Sequence, residues 1–218
     1  MNYARVDVDT DVEAADVETD LLPAVAAAGA TIEHVVTFDP DAHGNLLNEL
    51  STRGHRISWD LVMLHEGPVG PVVDATVDEL TPDGDLWRAV RASLGLFGVE
   101  PAAVLDQLLL LERDILSPRV KRWFAVRDGR EGVRSIAALV TIDGVGYLDN
   151  VATFPHARGG GLASALVARL VDEARSADAT HVFLIADPHD DATVRMYERL
   201  GFRAAGRLAS TKGPVPTA

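Results

Sequence analysis

The chain predicts an α/β protein of the α+β type, in which helices pack on a β-sheet. Three observations carry this expectation. Strand-like and helix-like periodicities alternate from end to end. Two strand patterns joined by a tight turn sit near the middle, as an antiparallel pair would. Further on, a run of three glycines separates a strand pattern from an amphipathic helix.

The elements follow in order. Residues 3–9 alternate as a short strand, and 12–27 form a helix with Asp and Glu toward water and Val, Leu and Ala toward a core. A strand covers 33–38 and ends at Asp39-Pro40, 43–52 make a helix, and 56–64 return as a strand. Gly67-Pro68 with Gly70-Pro71 is the clearest break, and it places a domain boundary near residue 68. Beyond it, 72–80 are strand-like, and Thr81-Pro82-Asp83 signals the start of a helix over 84–96. A second helix opens at Glu100-Pro101 and carries Val104, Leu105, Leu108, Leu109, Leu111 and Ile115. Residues 121–127 and 133–142 are the antiparallel pair, turned by Asp128-Gly129-Arg130, and 146–154 form the strand that reaches the glycines. Leu162, Leu166, Leu170 and Ala174 then recur every fourth residue as one buried helix face. The unbroken apolar run 181–186 reads as a central strand covered on both sides. A helix over 191–200 stops at Gly201, and a last strand starts at Phe202.

Composition limits what such a fold can do. At 218 residues, 47% hydrophobic and 24% charged, the chain can bury a core in one large or two small domains. A net charge of −13 argues against nucleic acid and against anionic membranes, both of which call for clustered Lys and Arg. The chain has no cysteine, and therefore neither a disulfide nor a thiolate nucleophile. No paired His or carboxylate spacing suggests a metal. No window has the apolar length of a membrane span, and Met1-Asn2-Tyr3-Ala4-Arg5 leads into acidic residues, so the expected location is cytoplasmic.

The chemistry centres on Arg158-Gly159-Gly160-Gly161-Leu162-Ala163. Glycines before a helix let successive N–H groups converge on an anion at the positive helix end, and Arg158 adds a guanidinium beside them. A P-loop would need Gly-Lys-Ser/Thr where this chain has Gly-Leu-Ala. A dinucleotide fingerprint, with Gly159, Gly161 and Ser164, lacks the acidic residue at the right spacing and follows antiparallel strands.

Two blocks carry a resemblance to a known family. Residues 151–163, Val-Ala-Thr-Phe-Pro-His-Ala-Arg-Gly-Gly-Gly-Leu-Ala, fit an Arg/Gln-x-x-Gly-x-Gly/Ala loop, with Ala163 in the last place. Residues 191–202 resemble an Ala-x-x-x-Leu-Tyr-x-x-x-Gly-Phe helix, with Met196 in place of Leu. Both motifs and the order of elements over about 72–210 resemble the GNAT superfamily of acyl-CoA-dependent N-acyltransferases. The resemblance implies the GNAT fold, a mixed and mostly antiparallel central sheet flanked by helices, and a catalytic domain over 68–218. Residues 1–67 look like a degenerate second half of another such domain. His34-Val35 with Asp39-Pro40 and Gly54 echoes His181-Val182 with Asp187-Pro188 and Gly201 in nearly the same register, while the loop has become acidic at Asp11, Glu13 and Asp16.

The resemblance implies transfer of an acetyl group from acetyl-CoA to a primary amine of a small molecule or peptide by direct attack, with no metal. The main chain of Val151, Ala152 and Thr153 would pair with pantetheine, and Arg158 and the amides of Gly159, Gly160, Gly161, Leu162 and Ala163 would take the phosphates. Asp190 stands where many relatives carry a cofactor-contacting Asn. An amine with a pKa of about 10.4 must lose a proton before it attacks, and Asp149 or Asp187, both at strand ends, is the expected base. Tyr197 is expected to protonate the departing thiolate, and an N–H near Val151 to polarise the thioester oxygen. His156 and His189 read as solvated loop residues, and Trp59, Trp87 and Trp123 as core; by resemblance, Trp87 also lies on a wall of the acceptor cleft. An acidic protein would draw cationic acceptors. Related folds pair through terminal strands, so a homodimer is also in view. A second function class stays open, a non-catalytic acyl-CoA-binding regulator or sensor, as does a weaker third, an interaction scaffold.

Overall fold

A computed structural model describes residues 4–6, 12–27, 32–99, 102–128 and 132–214. The chain is α/β, with mixed sheet pairing and six α-helices among the described residues. It divides into two compact units, one comprising Met1–Val62, Ala186–Asp190 and Ala205–Ala218, the other Met63–Ile185 and Asp191–Ala204.

The first unit begins β1 (Ala4–Val6), α1 (Ala14–Ala27), β2 (Ile32–Thr37) and α2 (Gly44–Thr52), followed by the larger part of β3 (Arg56–His65). Strand β1 runs parallel to β2, and β2 pairs antiparallel with residues 209–214 of β9 (Phe202–Pro214). Val6, Ala14, Val17, Val35, Leu46 and Leu50 close its core. Glu49 of α2 accepts the amide of Ala14 at 2.9 Å, satisfying one of the free donors at the start of α1. Tyr3 and residues 7–9 of the expected first strand, and Asp11 of the acidic loop, lie outside the described residues.

The second unit holds β4 (Val77–Glu79), α3 (Gly84–Leu96), α4 (Ala102–Leu111), a π-helical turn (Glu112–Leu116), β5 (Lys121–Asp128), β6 (Gly132–Ile142), β7 (Val145–Thr153), α5 (Leu162–Ser176), β8 (His181–Ala186) and α6 (Asp191–Arg199). Strands β4, β5, β6 and β7 pair antiparallel in that order, and β8 joins β7 in parallel. Helix α3 starts where expected because the Asp83 carboxylate accepts the amides of Asp85 and Leu86, both at 2.9 Å. Leu86, Ala89 and Val90 of α3 pack with Trp123, Ile136 and Ala138 of the sheet.

Several readings of the sequence differ from the structure. Strand β8 is not covered on both sides, since buried Val182, Leu184 and Ala186 alternate with exposed His181 and Ile185. The strand expected over 72–80 is only Val77–Glu79, because 66–76 take no regular structure around Pro68 and Pro71, which cannot donate to a ladder. The helix after residue 101 ends in the π-turn, and none of the residues of α4 is fully buried. Of the tryptophans, Trp123 is core and Trp87 packs against it, but Trp59 is half-buried, with the Arg207 guanidinium 5.2 Å from its ring centre. The opening Glu100-Pro101 and the turn residues Gly129 and Arg130 lie outside the described residues.

Candidate active site

The end of β7 organises the candidate site. Its ladder with β8 runs from Val145 opposite His181 to Leu148 opposite Leu184 and stops there. On the other side, β7 stays paired with β6 as far as Thr153 opposite Ser135. The register with β6 slips between Ile136 and Ala138, which sets Asn150 and Val151 into a bulge. Asn150 takes φ 55°, a left-handed conformation that asparagine tolerates better than most residues. Asp149, Val151, Ala152 and Thr153 therefore lie on a strand segment whose ladder to β8 has ended.

Thr153 leads through Phe154 and a short 3-10 turn (Pro155–Ala157) into the glycines. Arg158 Nε donates to the Thr153 carbonyl at 3.1 Å, which folds the guanidinium back toward the strand end. Gly159 and Gly161 have φ of 81° and 73°, a region that residues with a Cβ avoid. Gly161 is the residue before α5, and Ala165 N is the first amide of that helix to find an acceptor, Gly161 O at 3.1 Å. The amides of Leu162 and Ala163 precede that bond, at the positive end of a 15-residue helix. A Cβ on Gly161 would lie 3.0 Å from Val73 Cγ1, a tight approach that adds to its positive φ in favouring glycine. Glycine loops at helix N-termini are general anion-binding geometry. His156 and Arg158 are exposed on the same loop.

Tyr197 is the buried residue of α6, and its ring meets Phe202 edge-on at 5.9 Å. Asp187 and Asp190 belong to the other unit. There Asp187 Oδ1 accepts the His189 amide at 2.8 Å, and the Asp187 carbonyl accepts the Asp190 amide at 3.2 Å, closing the turn. Burial, reinforced by the Asp187 charge, raises the Asp60 carboxyl above its ordinary range.

Sequence reading missed the partners of Asp149. Its Oδ2 accepts from Lys121 Nζ at 2.6 Å, and Lys121 also donates to Glu112 Oε1 at 2.7 Å. The Tyr147 hydroxyl donates to Asp149 Oδ1 at 3.3 Å, with the Tyr147 ring stacked on Phe183. Glu112 is buried, which pushes its carboxyl upward against the opposing pull of Lys121. One signal was available, since Glu112 falls on the same helical face as Leu105 and Leu108. Lys121 gives none, being one basic residue at the head of an apolar strand.

An open groove of about 360 Å³ lies on the flank of α5, lined by Val72, Val73, Ala165, Ala168, Arg169 and Asp172. It contains none of the residues expected to act. Among the described residues no group of His, Asp and Glu could hold a metal ion, and no helix is long and apolar enough to cross a membrane.

The sequence profile of the acetyltransferase (GNAT) family matches residues 87–202. Among solved structures, the chain is similar to a GCN5-related N-acetyltransferase from Kribbella flavida, with 20% identity and a TM-score of 0.65 over 98% of this chain and 79% of that one. Similarity to a GCN5-related N-acetyltransferase from Sphaerobacter thermophilus has 17% identity and a TM-score of 0.64, covering 86% of this chain and 62% of that one. A tandem GNAT protein from the clavulanic acid biosynthesis pathway is similar at 12% identity and a TM-score of 0.62, covering 90% and 68%. No curated protein matches the sequence.

Proposed function

The chain belongs to the acetyltransferase (GNAT) family, and from that premise we propose that it moves an acetyl group from acetyl-CoA to a primary amine by direct attack. One observation carries the reading: β7 parts from β8 after Leu148 and leads, through a short 3-10 turn, into a glycine cradle at the head of α5. A released strand edge suits an amide-bearing arm, and a helix N-terminus suits a diphosphate. In this reading Val151, Ala152 and Thr153 supply main-chain partners to pantetheine, and Arg158, Gly159, Gly160, Gly161, Leu162 and Ala163 hold the phosphates.

Each chemical task then has a residue. Asp149 takes the proton that the acceptor ammonium must lose, with Asp187 as the alternative base. The Val151 N–H polarises the thioester oxygen as charge gathers on it. Tyr197 returns a proton to the departing thiolate, and Asp190 contacts the cofactor in the place of the family's Asn. In this reading attack is direct, and no cysteine is present to carry the acyl group as a thioester. The acceptor is a small molecule or peptide, and the net charge of −13 favours a cationic one. We assign residues 68–218 to the catalytic domain and 1–67 to a degenerate half-domain. The parallel β1 and β2 joined through α1 support this assignment, as does the likeness to a tandem GNAT protein.

Calorimetric titration with CoA and acetyl-CoA, followed by an amine screen that reads released thiol, tests the proposal; the protein adds no thiol of its own. Micromolar binding with amine-dependent thiol release is expected. Binding without turnover on any amine points instead to an acyl-CoA-binding regulator, and no heat at millimolar CoA overturns both readings.

A further inference from the structure

Where β7 leaves its ladder, side chains from three elements meet: Glu112 of the π-turn, Lys121 of β5 and Asp149 of β7. The Lys121 side chain is 1% exposed and is bound by both carboxylates. With all three ionised, the cluster carries one negative charge more than it neutralises. Glu112 Oε2 is buried and finds no hydrogen-bond partner among the described residues. Stability does not explain such an arrangement, since well-packed apolar residues do as well in place of buried ion pairs.

The local backbone shows that the cluster is built. Glu112 opens a π-helical turn, closed by the Ser117 amide on the Glu112 carbonyl at 2.9 Å, and π-turns are rare and concentrate at functional sites. Asp149 is the most exposed of the three, with 32% of its side chain open. Lys121 fastens its Oδ2, and among the described residues only the longer bond from Tyr147 engages its Oδ1. Other charged groups of the neighbouring helices are paired among themselves: Asp85 with Arg88, Arg91 with Asp106, and Arg113 with Asp114.

We propose that Lys121 is a positioning residue that pins one oxygen of Asp149 and so presents the other to the acceptor amine, while Glu112 holds Lys121 in place and shares its charge. The inference rests on the reading of Asp149 as the base. Glu112 shares the Lys121 ammonium, so that Asp149 is not its sole counter-ion. The apolar walls of Trp123, whose ring centre is 4.8 Å from Lys121 Nζ, keep the ammonium directed along this line.

The test uses Glu112→Gln together with Lys121→Met in the full chain, because Lys121→Met alone would strand Glu112 buried without a counter-ion. The double variant keeps side-chain size and leaves no charge at the two buried positions, so it is expected to fold, and its melting temperature is measured beside its kinetics. Its kcat is expected to fall at least about tenfold with KM for acetyl-CoA unchanged, and adding Asp149→Asn is expected to give the same kcat as Asp149→Asn alone. A double variant with restored stability and kcat within about twofold of wild type would show Lys121 to be structural only, overturning the inference while the base assignment stands. Full activity in Asp149→Asn itself would instead remove the base assignment, and the inference with it.

Discussion

Tyr197 and Phe202 meet edge to face, ring centres 5.9 Å apart and planes inclined at 61°, across the turn that ends α6 and starts β9. Packing of this kind fixes where the phenol oxygen points, since the ring cannot rotate away without breaking the contact. Tyr197→Phe keeps the aromatic contact and removes only the hydroxyl. Steady-state kinetics should show kcat down about a hundredfold, the scale of a lost general acid, with KM for acetyl-CoA and melting temperature close to wild type. A melting temperature that falls as far as the rate would make the hydroxyl a core hydrogen bond rather than a proton donor.

Gly161 faces two separate restrictions, a φ of 73° and Val73 at 3.0 Å from any added Cβ. Gly161→Ala is expected to cost about 1–2 kcal/mol in backbone strain, or to push the loop out of its cradle shape. Calorimetry should then find CoA bound about tenfold more weakly or worse. Trimming the neighbour with Val73→Ala relieves the steric part but not the torsional part, so the paired variant should recover affinity only partly.

These parts were legible in the sequence for physical reasons. Three consecutive glycines between a strand pattern and an every-fourth-residue apolar pattern leave few alternatives to a helix-capping loop, and α5 and α6 begin and end close to where periodicity, Gly161 and Gly201 set them. The bulge at Asn150 and Val151 had no such signature, because a slipped register depends on the partner strand and not on local composition. The same holds for Lys121, whose two carboxylate partners sit 9 and 28 residues away along the chain. Segment 72–76 read as a strand because valines there mimic one, yet Val72 and Val73 stay exposed and unpaired in a ladder.

The two candidate bases can be told apart. Asp187 caps its own turn by accepting the His189 amide, a task that asparagine performs equally well. Asp187→Asn should therefore leave the fold intact and kcat within about threefold of wild type, whereas Asp149→Asn should lower kcat about a hundredfold or more. Losing the Asp187 charge also relieves the Asp60 carboxyl, whose titration should move down toward the ordinary range without reaching it, since burial remains the larger cause. Carbonyl-carbon NMR across a pH titration would follow that movement, and a large rate loss in Asp187→Asn would reverse the assignment of the base.

Acid should destabilise the fold well before carboxylates titrate. Burial lowers His34, His55 and His65 below the usual histidine value, with Arg175 adding to the effect at His65. The unfolded chain therefore takes up protons first. The stabilisation is complete above about pH 6.5 and is lost as pH falls below it toward the folded values, at no more than about 1.4 kcal/mol per pH unit for each histidine. His65 is the sharpest case, since burial and the Arg175 charge both disfavour its protonated ring, against a smaller opposing pull from the Leu200 backbone and Asp172. Melting curves between pH 7.5 and 5.5 should fall, and His65→Leu should fall less steeply. An unchanged slope in that variant would place the acid sensitivity elsewhere.

Strand β9 makes six consecutive pairings with β2, from Ala209 opposite Thr37 to Pro214 opposite Ile32. Cutting the gene at the apparent boundary near residue 68 would carry β9 away and leave β2 behind. The shortened product would expose a naked row of amides and carbonyls at its own C-terminus, ready to recruit another molecule in register. Residues 32–37 thus cover an edge of β9 that would otherwise stand open to other strands.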